Sequence, residues 1–170
     1  RTPMTSIKGS LSLISSGIMG DVSEEVLNLI RIAELETDRL VRLINDILDL
    51  SKVEAGKLEI RPENVFLPKV FSLLEKTFDP LAKEKKLDFK IKIDSLVPER
   101  ILTDRQRLEQ ILKNLLSNAF KFIPDGGKLA IEVKQRSHYA MFSVQDNGPG
   151  IPVQHRDEVF ERFTQLEAGN

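Results

Sequence analysis

Asn114, Asn118 and Lys121 succeed one another at spacings of four and three in the run NLLSNAFKFIPDGG, so a helix would carry all three on one side. Asparagine is a poor helix-interior residue, because its short amide competes with the backbone for hydrogen bonds. A pair of them one turn apart in an otherwise apolar run therefore asks for a use beyond the fold. Side-chain amide oxygens are hard, neutral ligands of the kind Mg²⁺ takes together with waters and substrate phosphates, and a lysine adds a point charge for a phosphate. Phe122 sets a ring beside them. Taken alone, the pair reads equally well as capping or merely solvated asparagines. A second group, DNGPGIP at 146–152, follows a strand pattern. Its Asp146 carboxylate accepts hydrogen bonds only, which suits an exocyclic amine such as that of adenine, while Gly148 and Gly150 permit close backbone approach or loop movement. By itself D-x-G-x-G is an ordinary glycine turn.

The surrounding patterns say which elements would position these residues. A helix is expected from Asp104 to about Phe122, with Leu108, Ile111, Leu112, Leu115, Ala119 and Phe122 as its packing face and the polar stripe at the margin of that face. PDGG is a turn, and KLAIEVKQR and YAMFSVQD alternate as the strands of an antiparallel hairpin. Upstream, KLEI reads as a short strand, Pro68 as the start of a helix running to about Lys86, Leu87 to Ile93 as a half-buried strand, and ERILTD as a brief one. DEVFERF is a short helix. The chain is thus expected to be α+β from residue 57 to 170, with a mixed sheet and helices on one face.

Residues 1–56 follow a different rhythm. Met4, Ile7, Leu11, Ile14 and Ile18 recur at threes and fours, as do Val26, Ile30, Ala33, Thr37, Leu40, Ile44 and Ile47, widened by Leu29, Leu43 and Leu50. Gly17, Gly20 and Asp21 separate the two stripes, Ser23 is placed to cap the second helix, and Gly56 to end it. One such hairpin cannot bury stripes this wide, so a dimeric four-helix bundle is expected.

Composition removes several alternatives. With 170 residues, 41% hydrophobic and 30% charged, the chain can build one or two cores. Its 25 lysines and arginines nearly balance 26 acidic residues, which recommends neither nucleic acid nor an anionic membrane surface as partner. It has no cysteine, so no disulfide framework and no thiolate-bound zinc. No run approaches the roughly 18 apolar residues of a membrane span. A soluble fragment of a longer protein is expected.

In this order, RTPMTSI, NLLSNAFKF, DNGPGI and FERFTQ resemble the tail of the H box and the N, G1 and F boxes of the sensor histidine kinases of two-component systems, over essentially the whole chain. The resemblance implies a dimerisation and phosphotransfer hairpin at 1–56 and, at 57–170, an ATP-binding α/β sandwich of the GHKL (Bergerat) type shared with gyrase B, Hsp90 and MutL. It implies ATP and Mg²⁺ as ligands: Asn118 as the metal ligand, Asn114 near the phosphates, Lys121 as a phosphate contact, Phe122 beside the adenine and Asp146 reading it. Gly148, Gly150 and Ile151 would open a mobile lid, with Phe160 and Phe163 of the F box completing the nucleotide site. The implied partners are a second copy and a response-regulator receiver domain. The implied location is cytoplasmic, any membrane anchor lying outside this chain.

The resemblance also implies that the phosphorylated histidine lies three residues before Arg1 and that the glycine-rich lid end follows Asn170. Ile123 replaces the usual threonine. His138 and His155 match no acceptor position and read as ordinary exposed histidines. Thr2, four residues after the expected acceptor, matches a position that can orient water for dephosphorylating the regulator, and serves equally as a helix-start hydroxyl before Pro3. In the hydrolytic branch the first N-box residue is a glutamate acting as general base. Here it is Asn114, which cannot take a proton, so phosphoryl transfer to an imidazole is favoured over an ATPase reaction. The remaining alternative is a degenerate kinase acting only as a dimerisation module, against which the intact N and G1 boxes speak.

Overall fold

The computed structural model describes residues 2–18, 20–157 and 159. The contacts divide the chain into two compact units, the first reaching to Glu59 and the second starting at Ile60.

The first unit is a hairpin of two helices, α1 (Thr2–Ser15) and α2 (Glu24–Glu54). Ser23 caps α2 by accepting the Val26 N–H at 3.4 Å, with Glu24 and Glu25 complementing the positive end of the helix dipole. At the other end Gly56 takes a left-handed φ of 63°. Gly56 N–H then reaches the Val53 carbonyl and Lys57 N–H the Lys52 carbonyl, the paired bonds of a Schellman stop. Among the described residues of the hairpin only Ile30 and Thr37 are buried, and the Thr37 hydroxyl is satisfied by the Ala33 carbonyl at 2.7 Å. Lys8 and Asp38 pair across the hairpin at 2.6 Å. Leu40 and Ile47, at the centre of the heptad stripe, remain 47% and 52% exposed, together with Leu29, Ile32, Leu35, Leu43 and Leu48.

The second unit contains β1 (Glu63–Phe66), α3 (Leu67–Glu84), β2 (Asp88–Ile93), β3 (Arg100–Thr103), α4 (Arg105–Phe122), β4 (Lys128–Arg136) and β5 (Tyr139–Asp146), followed by a turn of 3₁₀-helix at Val153–His155. β1 pairs antiparallel with β3, while β2 runs parallel to β4 and β4 antiparallel to β5, a mixed sheet in the order β2-β4-β5. Strand alternation divides that sheet into two faces. Leu129, Ile131 and Val133 are buried and form one core cluster with Phe71, Leu74, Phe78, Leu112, Leu116, Phe120 and Ile123 of the helical layer. The opposite face carries Lys90, Lys92, Glu132 and Lys134, where Glu132 pairs with both Lys92 and Lys134. Phe120 stacks on Phe78 at 5.1 Å and meets Phe89 edge-on at 5.8 Å, contacts each contributing about 0.5–1.5 kcal/mol beyond area burial.

Two expectations are corrected. KLEI is not a strand: residues 57–62 are irregular and the strand begins at Glu63. Pro62 has no N–H for a ladder, and the Arg61 N–H is taken by the Asp104 carboxylate at 2.9 Å. The packing face of α4 is also rotated from the one expected. Leu112, Leu116, Ala119 and Phe120 are buried, with Leu108 partly buried, whereas Ile111, Leu115 and Phe122 are 57%, 46% and 48% exposed. Apolar residues occupy both sides of this helix, so the count alone did not separate the core side from the open side. The expected helix DEVFERF falls largely outside the described residues.

Asp104 starts α4, accepting N–H groups from Arg61 at 2.9 Å and Arg107 at 3.0 Å. These backbone bonds, Arg61's first and then Arg107's, hold its carboxyl below the ordinary value of 3.8. A carboxylate with a depressed folded-state pKa contributes stability above its unfolded pKa and loses it as pH falls through the folded value. Asp104→Asn, which keeps an acceptor but does not titrate, should show a shallower loss of melting temperature than the parent from about pH 5 downward. Parallel acid-melting slopes would show that Asp104 does not couple to folding.

Candidate active site

With Leu112, Leu116, Phe120 and Ile123 committed to the core, the 100° step per residue sends Asn114, Asn118, Lys121 and Phe122 to the other side of α4. All four are exposed. Ile111 and Leu115 share that side, so the open face is an apolar strip bearing two amides and an ammonium. The Lys121 Nζ lies 4.9 Å from the centroid of the Phe122 ring, a cation–π distance. Among the described residues Lys121 has no carboxylate partner.

Asp146 ends β5 opposite Leu129, which by alternation places it on the helix-facing side of the sheet. Its Oδ1 accepts the Gly148 N–H at 2.8 Å, a local turn that fixes the carboxylate. Gly148 is where the two sequence groups meet. A Cβ there would stand 2.8 Å from Asp146 Oδ1, 3.6 Å from the Phe122 carbonyl and 3.7 Å from Ile123 Cα. A side chain here would make the Asp146 carboxylate shift, while the α4 backbone would stand at ordinary contact distance. Gly150 has open space around it but a φ of 71°, where glycine relieves backbone strain. Ile151 is exposed.

Residues not singled out by motif hold this junction together. Asn147 Oδ1 accepts the Lys128 N–H at 2.7 Å, and its own N–H returns to the Lys128 carbonyl. A Cβ on Gly127 would stand 2.6 Å from Ile123 Cγ1 and 2.9 Å from Asn147 Oδ1. The glycine turn is therefore pressed between the end of α4 and the start of the DNG loop. The glycine pair in PDGG and the asparagine in DNG were the only sequence signals for this contact.

The other candidates are not assembled here. Thr2 opens α1 in the first unit, and Phe160 and Phe163 lie outside the described residues. His138 is exposed in the β4–β5 turn, and His155 ends the 3₁₀ turn. Glu109, the acid nearest to Asn114 on α4, is engaged by Arg105 at 2.7 Å and Lys113 at 3.6 Å. A cleft of about 390 Å³ lies along the sheet and is lined by Lys90, Lys92, Lys128 and Gln145. It reaches Asp146 and Asn147 but none of the α4 site residues.

Two family models match this chain: the His Kinase A (phospho-acceptor) domain over residues 1–56, and the Histidine kinase-, DNA gyrase B-, and HSP90-like ATPase over residues 103–170. Hybrid signal transduction histidine kinase B of Dictyostelium discoideum is 36% identical over all of this chain and 9% of its own length. The sensor histidine kinase TmoS of Ectopseudomonas mendocina is 34% identical over 98% of this chain and 17% of its own. The chain thus spans about a tenth to a sixth of these relatives. Among solved structures, full-length ShkA in complex with AMPPNP superposes with a TM-score of 0.80 at 28% identity, covering 97% of this chain and 35% of that one. The histidine kinase AdeS of Acinetobacter baumannii gives 0.65 at 28% identity, covering 91% and 74%. With a phospho-acceptor hairpin followed by a GHKL-type catalytic domain, the chain belongs to the sensor histidine kinases of two-component systems.

Proposed function

We propose that this chain is the core of an ATP-dependent protein-histidine kinase, with residues 1–56 as the dimerisation and phosphotransfer hairpin and residues 57–170 as the nucleotide-binding catalytic domain. The observation that supports this reading is the contact at Gly148, which lies between the Asp146 carboxylate and the backbone of Phe122 and Ile123 at the end of α4, the helix that also carries Asn114, Asn118 and Lys121. One end can accept hydrogen bonds from an adenine amine, the other can meet phosphates, and Phe122 with Leu115 offers apolar surface between them. Gly148, Gly150 and Ile151 begin the lid, and Phe160 and Phe163 of the F box are assigned to the nucleotide site.

Asn118 fits a magnesium site in its donor chemistry, a hard neutral oxygen open to solvent. Mg²⁺ is commonly held by one or two protein oxygens together with substrate phosphates. When bound, Mg²⁺ would neutralise phosphate charge during transfer. This chain's own residues orient the nucleotide, with Lys121 at the phosphates and Asn114 beside them. Asn114 cannot deprotonate water, and Glu109 is held in two ion pairs. Transfer to an imidazole of the H box, then to a receiver-domain aspartate, is the chemistry these groups favour. Thr2 would orient water in the reverse, phosphatase direction. Among the described residues no helix is long and apolar enough to cross a membrane, and the proposed site of action is cytoplasmic.

Loss of a hydrogen bond to a charged group costs roughly 1.5–3 kcal/mol. Asp146→Ala should therefore weaken ATP binding by about one to two orders of magnitude in calorimetry with the fold retained, whereas Asn118→Ala should abolish its magnesium dependence. Unchanged affinity in Asp146→Ala would remove that residue from the site. On a chain carrying the complete H box, labelled ATP should yield acid-labile label on that histidine; label on His138 or His155 would overturn the acceptor assignment.

The exposed heptad stripe of α2 is the surface for a second copy. Isolated soluble proteins rarely leave so continuous an apolar face uncovered. Replacing Leu40 and Ile47 together by glutamate should convert dimers to monomers in light scattering, and a dimer surviving both changes would rule out the bundle.

A further inference from the structure

The last turn of α4 ends with an acceptor that the helix itself cannot satisfy. In a continuing helix the Phe120 carbonyl would receive the N–H of residue 124, but that residue is Pro124 and has none. The Ile123 N–H is already given to Ala119. Phe120 is buried between Phe78 and Phe89, where an unpaired carbonyl is costly. The missing donor comes from outside the helix: the Lys85 Nζ donates to the Phe120 oxygen at 2.8 Å. A cation there also complements the negative end of the α4 dipole.

Lys85 does a second thing with its backbone. Its carbonyl accepts the Gly126 N–H at 2.9 Å, and three residues on, the Asp88 N–H reaches the Gly127 carbonyl at 2.9 Å. One residue thus ties the end of α4 to the glycine turn, and that turn abuts Ile123 and Asn147. Lys121 and Phe122 lie in the turn so clamped, and Asp146 directly precedes Asn147. We propose that Lys85 is a positioning residue for the nucleotide site: its ammonium, replacing the backbone donor absent at Pro124, sets the last turn of α4 relative to the DNG loop. This inference rests on the nucleotide-binding reading above. Lys85 itself touches neither nucleotide nor metal.

The test uses the whole chain with AMPPNP and magnesium. Calorimetry on the parent examines the site, and Lys85→Met and Lys85→Arg examine the clamp. Lys85→Met should bind about tenfold more weakly, equivalent to roughly 1.4 kcal/mol, and Lys85→Arg should restore most of that loss. Amide exchange without nucleotide gives a readout that general destabilisation would not produce: faster exchange at Lys121 and Phe122 in Lys85→Met, with Leu112 and Leu116 unchanged. If Lys85→Met does not fold, Lys85→Gln, which retains a neutral donor, takes its place, with an intermediate loss expected. Parent binding with equal affinity in a folded Lys85→Met or Lys85→Gln would overturn the clamp alone, as would exchange rising uniformly along α4. Failure of the parent to bind would overturn the nucleotide site and the clamp with it.

Discussion

Leu112, Leu116, Phe120 and Ile123 press α4 against α3 and the β2-β4-β5 sheet, and because a helix is stiff about its axis, that contact decides what the helix shows to solvent. Fixing those residues inward turns Asn114, Asn118, Lys121 and Phe122 outward with Ile111 and Leu115. A shift of one residue in this packing would rotate the functional stripe by about 100°. The aromatic contacts of Phe120 with Phe78 and Phe89 resist such a slip, since both rings would have to leave their seats. The site is rigid because its opposite side is core.

The sheet contributes by register. Leu129 lies opposite Asp146 and Ile131 opposite Val144, so the burial of Leu129 and Ile131 fixes which way the carboxylate faces. Between this carboxylate and α4 stand three glycines used in different ways. Gly126 supplies a φ of 76°, whereas Gly127 and Gly148 supply absence of bulk, their virtual Cβ atoms falling 2.6 Å from Ile123 Cγ1 and 2.8 Å from Asp146 Oδ1. At each of these contacts one side is a glycine, which leaves room for the Ile123 and Asn147 side chains against Gly127 and for the Asp146 carboxylate against Gly148.

Much of this was legible from residue order. β4 and β5 match their expected limits because a period of two bounded by turn residues admits one register. Ser23 and Gly56 mark the ends of α2 by cap chemistry that is local in sequence. The shared side of Asn114, Asn118 and Lys121 also follows from spacing alone. The face of α4 that meets the core did not follow: Ile111, Leu115 and Phe122 are as apolar as Leu112, Leu116 and Phe120, and only the partner surface distinguishes the two sets. The start of β1 was missed because it depends on Arg61 being held by Asp104, 43 residues away. Lys85 was missed for the same reason, although Pro124 after the last turn of α4 was a signal that some distant donor must serve Phe120.

The two units differ in how completely they bury their apolar residues, and this separates binding from transfer. Among the described residues the second unit has a core of sixteen buried residues drawn from both helices, the strands and their connections, and Asn114, Asn118, Lys121, Phe122 and Asp146 all lie on elements of that unit. The hairpin buries Ile30 and Thr37 and leaves most of the α2 stripe open, so its stability is tied to whatever covers that stripe. The nucleotide binding proposed at α4 would therefore not depend on association, whereas the proposed use of the hairpin as acceptor would. Because a dimer gains stability with concentration while an intramolecular core does not, dilution should first melt the hairpin and leave the nucleotide-facing unit folded.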